Sequence, residues 1–257
     1  MAVVRNCRDT NPEWIRPDPK KQNLEFKWID DGTAYLALNS FNDKSILKDY
    51  KKILPKLLKC KGVIIDLRYN GGGDTDIGYA ILKHFIDKPI PTFIWKSREN
   101  KAVYKAWGRW TSELSPEMLA NISEERKEFV RHYRNTAFIE GQKDSLYPAE
   151  TQRMHVPTAV LTGNTGSADE DFLVDMNNVK NAVLIGKTTA GCTGTPYIFN
   201  LPSGGIAFVT TTIQMYPDGR KSRNGVHPDI EIHPSIENII ENRDPVLLKA
   251  IEVLRKQ

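Results

Sequence analysis

The sequence predicts an α/β domain built on a largely parallel sheet, and three observations predict it. Gly62-Val63-Ile64-Ile65-Asp66-Leu67 and Ala182-Val183-Leu184-Ile185-Gly186 are short, nearly continuous apolar runs rich in β-branched residues, the pattern of strands buried on both faces. Each runs straight into a glycine-bearing loop. Segments with apolar residues at helical spacing alternate with such runs along the chain. The 257 residues suffice for one large domain or two small ones, and 40% hydrophobic with 26% charged residues is ordinary for a globular chain. A net charge of +4 gives no argument for nucleic acid as a partner. No apolar run reaches membrane-spanning length, and the N-terminus lacks the apolar core of a signal peptide.

Taken in order, residues 1–21, rich in Pro, Asp, Asn and Lys, read as a linker before a domain over 22–257. Leu24–Ile29 reads as a strand, Asp30-Asp31-Gly32 as a turn, and Tyr35–Leu38 as the second strand of a hairpin. From Asn42 to Leu58 the residues Ile46, Leu47, Tyr50, Ile53, Leu54 and Leu57 predict a helix that bends or ends at Pro55. The strand Gly62–Leu67 leads into Arg68-Tyr69-Asn70-Gly71-Gly72-Gly73-Asp74, then a helix carrying Ile77, Tyr79, Ala80, Leu82 and Phe85. Thr92–Trp95 reads as a strand. The polar, aromatic stretch about 96–147 reads as an insertion of one or two helices, with Ser115 and Pro116 opening one of them. Its basic and aromatic residues suit an acidic polymer less well than a solvated helix with its aromatic face packed down, because acidic residues are mixed in. After Val156–Thr162 and the turn at Ser167 come a helix, the strand Ala182–Gly186, the strand Ile206–Ile213 and the segment Gly225–Ile232. A last helix, Pro245–Leu254, is capped by Asp244.

Two loops carry candidate chemistry. Ser167 sits on a glycine-containing turn between a strand and a helix, a position that exposes a hydroxyl beside free N–H groups and the positive end of a helix. The same residues also fit a helix cap, since Ser167-Ala168-Asp169-Glu170 has capping-box spacing. The Gly71-Gly72-Gly73 loop can approach a ligand closely and offer N–H donors. It lacks the Lys-Ser/Thr ending of a phosphate-binding loop and the spacing of a dinucleotide fingerprint. Cys7, Cys60 and Cys192 are too far apart in sequence for a disulfide framework or a zinc site, and no metal or cofactor is expected.

Four motifs then stand in order: Gly62–Gly73, Gly166-Ser167-Ala168-Asp169-Glu170, Gly186-Lys187-Thr188-Thr189-Ala190-Gly191, and Gly225-Val226-His227-Pro228-Asp229-Ile230. Together, over roughly Thr33 to Ile232, they resemble the S41 family of serine peptidases, which includes the C-terminal processing (tail-specific) proteases, the tricorn core and the interphotoreceptor retinoid-binding repeats. The resemblance implies a crotonase-like (ClpP/crotonase type) core with a mostly parallel sheet and a helical insertion. It implies a serine endopeptidase acting on proteins or C-terminal tails, with Ser167 at the nucleophile position. The N–H groups of Ala168 and of Gly71 or Gly72 would form the oxyanion hole. The chain departs from the family at the base. Processing proteases carry a lysine where this chain has Cys192, and the tricorn type carries a histidine where this chain has Ala37, with its supporting glutamate at Ser222-Arg223-Asn224. Lys187, His227, His155 and Glu170 are the candidate bases, with Cys192 as a site neighbour. A base from elsewhere in the full protein is the second option, and a weakened domain binding peptide or a small apolar ligand is the third. Many relatives carry a PDZ domain upstream, and Met1–Asn6 is similar to its last strand. An exported, periplasmic or extracellular location is likewise an implication of the resemblance.

Overall fold

The computed structural model describes residues 22–141, 143–202 and 204–256; the expected linker over 1–21, with its similarity to the end of a PDZ domain, and Cys7 lie outside the described residues. The elements in chain order are β1 (Leu24–Trp28), β2 (Thr33–Leu38), α1 (Ser45–Leu57), β3 (Gly62–Asp66), α2 (Thr75–Leu82), β4 (Ile90–Pro91) and β5 (Ile94–Arg98). There follow α3 (Ala102–Ser112), α4 (Pro116–Ala120), α5 (Glu124–Tyr133), β6 (Phe138–Glu140), β7 (Ser145–Leu146), β8 (Thr158–Thr162) and α6 (Ala168–Met176). The last are β9 (Ala182–Gly186), β10 (Pro196–Asn200), β11 (Ile206–Thr210), β12 (Thr212–Met215), β13 (Ile230–Glu231), α7 (Ile236–Ile240) and α8 (Pro245–Arg255).

The chain forms two compact units. The first comprises 22–91, 145–192 and 224–256 among the described residues and holds a six-stranded sheet in the order β1-β2-β3-β8-β9-β13. Only the β1–β2 pair is antiparallel; β2–β3, β3–β8, β8–β9 and β9–β13 are parallel. Every residue of β2, β3 and β8 is buried, which is why these strands read as apolar runs with polar residues (Thr33, Asp66, Thr158, Thr162) only at their ends. On one face Tyr35, Ala37, Ile64, Ala159, Leu161 and Ile185 pack against Val246 and Ala250 of α8. A fully buried aliphatic side chain such as Val246 contributes about 1.5–3 kcal/mol. α2 packs on α6, where Gly78 lies against the Phe172 ring.

The second unit comprises 92–144 and 193–223. It contains a three-stranded antiparallel sheet, β12-β5-β6, and the separate two-stranded ribbon β10–β11. α3 and α5 cross closely at Gly108, where an added Cβ would lie 1.9 Å from the Phe129 carbonyl oxygen. Tyr104 and Trp107 of α3 interlock with Phe129, and Tyr104 meets His132 edge-on; Tyr104 and Phe129 are half-buried by this packing, while Trp107 (43%) and Trp110 (66%) stay exposed. The stretch about 96–147 holds three helices, not one or two, because the loop at Ser123 caps a third.

Several elements differ in detail from expectation. α1 runs through Pro55 and stops at Leu57, since a proline this near the C-terminus forfeits only one of the last backbone bonds. The expected strand over 206–213 divides at Thr211, as β11 pairs with β10 and β12 with β5. Among the described residues, no helix is long and apolar enough to cross a membrane.

Candidate active site

β3, β8 and β9 lie side by side and parallel, so their carboxyl ends open on one edge of the sheet, where α/β folds assemble ligand sites. The loop after β3 carries the three glycines, the turn after β8 carries Ser167, and the loop after β9 carries residues 187–192. The topology thereby brings together three motifs that are far apart in sequence. The fourth joins through Thr189, whose N–H donates to the Val226 carbonyl (3.2 Å) and whose hydroxyl accepts the Val226 N–H (2.8 Å).

Ser167 stands at the N-cap position of α6 with φ 65° and ψ −134°, an uncommon backbone conformation for a residue with a Cβ. Its hydroxyl caps nothing, so the capping box allowed by the spacing does not form. The glutamate is engaged elsewhere: Glu170 Oε1 accepts from the Thr189 hydroxyl and from the Gly191 N–H (2.7 Å). This ties the start of α6 to the loop after β9. The same loop accepts the Ser167 N–H on the Cys192 carbonyl (2.8 Å), and Ala190 N–H returns to the Thr165 carbonyl (2.9 Å). Burial raises the Glu170 carboxyl above its ordinary value, against the opposing hydrogen bonds from Thr189 and Gly191.

The glycine loop lies directly on this turn. A Cβ built on Gly72 would sit 2.5 Å from Ser167 Cβ and 2.9 Å from the Ala168 nitrogen. Gly72 itself has φ +89°. Its carbonyl accepts from Phe41 N–H (3.0 Å), which fixes the loop to the end of β2. Its N–H is taken by Asn70 Oδ1 (2.9 Å). The Gly72 N–H is thus engaged within its own loop, whereas the Ala168 N–H, first in α6, has no intrahelical acceptor. Asn70, only 1% exposed, was not singled out in the sequence, although Asn-Gly-Gly is the signature of the Asx turn it makes.

The candidate bases divide. His227 is exposed and its Nδ1 lies 3.0 Å from the Thr188 hydroxyl, and His155 pairs with Asp87, so neither contacts Ser167. Lys187 follows β9, with its N–H on the Thr162 carbonyl (3.2 Å) and its carbonyl accepting from the Thr162 hydroxyl (2.8 Å). Cys192 is exposed; its carbonyl holds the Ser167 turn while its thiol faces the Ala190 carbonyl at 3.8 Å. Asp169, wholly buried beside Glu170, has its carboxyl raised well above its ordinary value, first by burial and further by the charges of Glu170, Asp171 and Asp66.

Beneath the glycine loop, Arg68 joins Asp66 at the end of β3 (Nη2 to Oδ2, 2.7 Å) to Asp244, the cap of α8 (2.8 and 2.9 Å). Tyr35 donates its hydroxyl to Asp66 at 2.7 Å. Among the described residues, one cluster has metal-ligand types, Glu99, Glu128 and His132 of the second unit. His132 Nδ1 accepts the Lys101 N–H at 3.4 Å, which places the ring proton on Nε2, 3.4 Å from Glu128 and 3.8 Å from Glu99. A protonated Nε2 does not ligate a metal, and the two carboxylates also pair with Lys101 (2.8 Å) and Arg131 (3.1 Å).

The fold is shared with solved structures at low identity. A putative peptidase from Parabacteroides merdae superposes with a TM-score of 0.69 at 22% identity, covering 90% of this chain and 64% of that one. Mature CPAF gives 0.60 at 17%, covering 80% and 48%, and the photosystem II D1 C-terminal processing protease gives 0.51 at 17%, covering 86% and 46%. The chain thus spans about half to two thirds of the length of these proteins. Their likeness establishes the ClpP/crotonase-like α/β core with its mostly parallel sheet. The model of peptidase family S41 matches residues 32–232, most of the chain including all four motif loops, and this chain belongs to that family.

Proposed function

We propose that the chain is the catalytic core of a serine endopeptidase that cleaves proteins or exposed C-terminal tails, with Ser167 as nucleophile. The observation that carries this reading is the positive-φ serine at the start of α6 with the glycine loop pressed against it. Ser167 Oγ attacks the scissile carbonyl carbon, and the Ala168 and Gly71 N–H groups receive the developing oxyanion. The acyl-enzyme formed as the amine departs is then released by water. Gly72 leaves room for the substrate carbonyl, and Glu170 and Cys192 hold the serine turn in place. For the Ser167 proton the candidates are Lys187 and a group contributed by the remainder of the full protein. An extracytoplasmic location rests on the family resemblance alone.

A second reading is favoured by one observation: neither His227, which lies against the Thr188 hydroxyl, nor His155, which pairs with Asp87, is turned to Ser167 as a base. On that reading the domain binds a peptide or a small apolar ligand without hydrolysing it. Fluorophosphonate labelling of the purified chain separates the two. The peptidase reading expects one labelled residue per chain, lost in Ser167→Ala. Lys187→Met abolishes labelling only if Lys187 is the base. Absence of Ser167-dependent labelling, together with a full-length protein inert on an unfolded substrate, leaves the binding reading.

A further inference from the structure

α3 of the second unit keeps one apolar stripe out of its own core. At ~100° per residue, Val103, Trp107 and Trp110 fall within an arc of about 60°. Gly108, where α3 meets the Phe129 carbonyl of α5, lies roughly 100–160° away from them. That close crossing fixes the rotation of α3, so the stripe cannot also turn inward. Trp110 is the most exposed of the three, Val103 is 49% exposed, and Trp107 stays open although it meets the Phe129 ring. Two cations stand on the remaining flank. Lys105 and Arg109 lie one turn apart, and Arg109 is about 100° from Trp110 around the helix. Lys105 donates to Asn135 Oδ1 (3.1 Å), an uncharged partner, and among the described residues neither cation stands in an ion pair. Within α3 no residue is acidic; Glu113 follows as its C-cap.

We propose that α3 rests on an anionic lipid surface, with the stripe of Val103, Trp107 and Trp110 among the upper acyl chains and Lys105 and Arg109 reaching the headgroup phosphates. A helix that lies in the plane of a membrane surface combines an apolar face bearing tryptophan with basic residues on its polar side, and α3 has both. Indole suits the boundary because its ring is apolar while its N–H seeks a polar partner. Lysine and arginine reach the headgroups on long apolar stems. Charge decides between a lipid and a second copy of the chain. A twofold contact through this stripe would bring Lys105 and Arg109 toward their own counterparts. An anionic surface instead attracts both cations, and with them a chain of net charge +4.

Flotation of the whole chain with vesicles of phosphatidylcholine containing about 30% phosphatidylglycerol tests this. Binding is expected at low salt, about tenfold or more stronger than to phosphatidylcholine alone, and it weakens as salt rises. Trp110→Glu weakens it about tenfold or more, as does Lys105→Glu/Arg109→Glu, whereas Glu113→Lys tightens it. Ile240→Glu, on the exposed apolar patch of α7, leaves it unchanged. Should Trp110→Glu fold poorly, tryptophan fluorescence of the unaltered chain decides, since brominated acyl chains quench it only if indole enters the bilayer, and Trp110→Phe then removes part of the quenching. No flotation with either vesicle, equal flotation with both, flotation indifferent to Trp110→Glu, flotation lost in Ile240→Glu, or an absence of quenching overturns the proposal. So does a dimer that Trp110→Glu disperses in a chain that does not float, which assigns the stripe to a second copy.

Discussion

Gly72 and Ser167 are the two residues whose backbones decide the site. Gly72 at φ +89° turns its missing Cβ toward Ser167 Cβ, at 2.5 Å, and toward the Ala168 nitrogen. An alanine there meets backbone on both counts, and the left-handed conformation alone costs it roughly 1–2 kcal/mol. Gly72→Ala is therefore expected to slow fluorophosphonate labelling of Ser167 by about a hundredfold or more, because the loop must retreat from the helix start. Gly71→Ala is the control, since a Cβ there meets nothing within 4 Å and no positive φ is required. Labelling rates and melting temperatures of the two variants check this, and equal effects would refute it. The sequence made the close approach of a glycine loop legible, and the nucleophile turn with it. It could not reveal which glycine keeps its N–H, because that depends on Asn70 folding back onto Gly72. Nor could it reveal that the Cys192 position serves through its carbonyl, a group common to every residue type.

At the scale of elements, what is buried on both faces was readable and what is paired locally was not. β3, β8 and β9 announce themselves because polar residues stand only at their ends (Asp66, Thr158 and Thr162), and α1 and α8 because one face alone is apolar. Pro196–Asn200 was missed as a strand: an uncovered ribbon imposes no inside-and-outside alternation on its residues. The segment over 225–232 pairs only at Ile230 and Glu231, where it joins the edge of the sheet, while Asp229 binds the Leu184 N–H through its side chain (2.8 Å). Ion pairs between elements are equally hidden, and Arg68 is the clearest case. Its guanidinium spans the end of β3 and the start of α8, and Asp66 beneath it is 2% exposed. Arg68→Met leaves that carboxylate buried with the Tyr35 hydroxyl but no cation. A loss of about 3–5 kcal/mol is expected, which lowers the melting midpoint by roughly 10 °C in a chain of this size. A thermal melt at neutral pH checks it, and a change of a degree or less would show that Asp66 is content without its partner.

The whole molecule sums these local charges into a stability that depends on pH, and the signs can be worked out. Asp169 and Glu170 have carboxyls raised by burial, so the folded chain holds their protons more tightly than the unfolded chain. Their contribution is complete below the ordinary values of 3.8 and 4.5 and is lost as pH rises from there through the folded-state values. Asp244 acts oppositely. Burial pushes its carboxyl up, but the hydrogen bond and charge of Arg68 outweigh this and hold it below its ordinary value. Its contribution is present above 3.8 and lost as pH falls through the lowered value. The melting temperature should thus peak in mildly acidic solution, about pH 4–5, and decline toward neutrality. Asp169 supplies the main part of that decline, being wholly buried. Asp169→Asn cannot ionise, so its melting temperature should exceed that of the unaltered chain at pH 7 by at least the ~2–4 °C that 1 kcal/mol represents at this size. Below about pH 4 the two curves should converge, since both side chains are then neutral. Melting curves of the two proteins from pH 3.5 to about 8 decide the matter. If the variant is less stable at every pH, the Asp169 carboxylate is satisfied as a charge and the burial of unpaired acid beside the serine turn is not what sets the neutral limb.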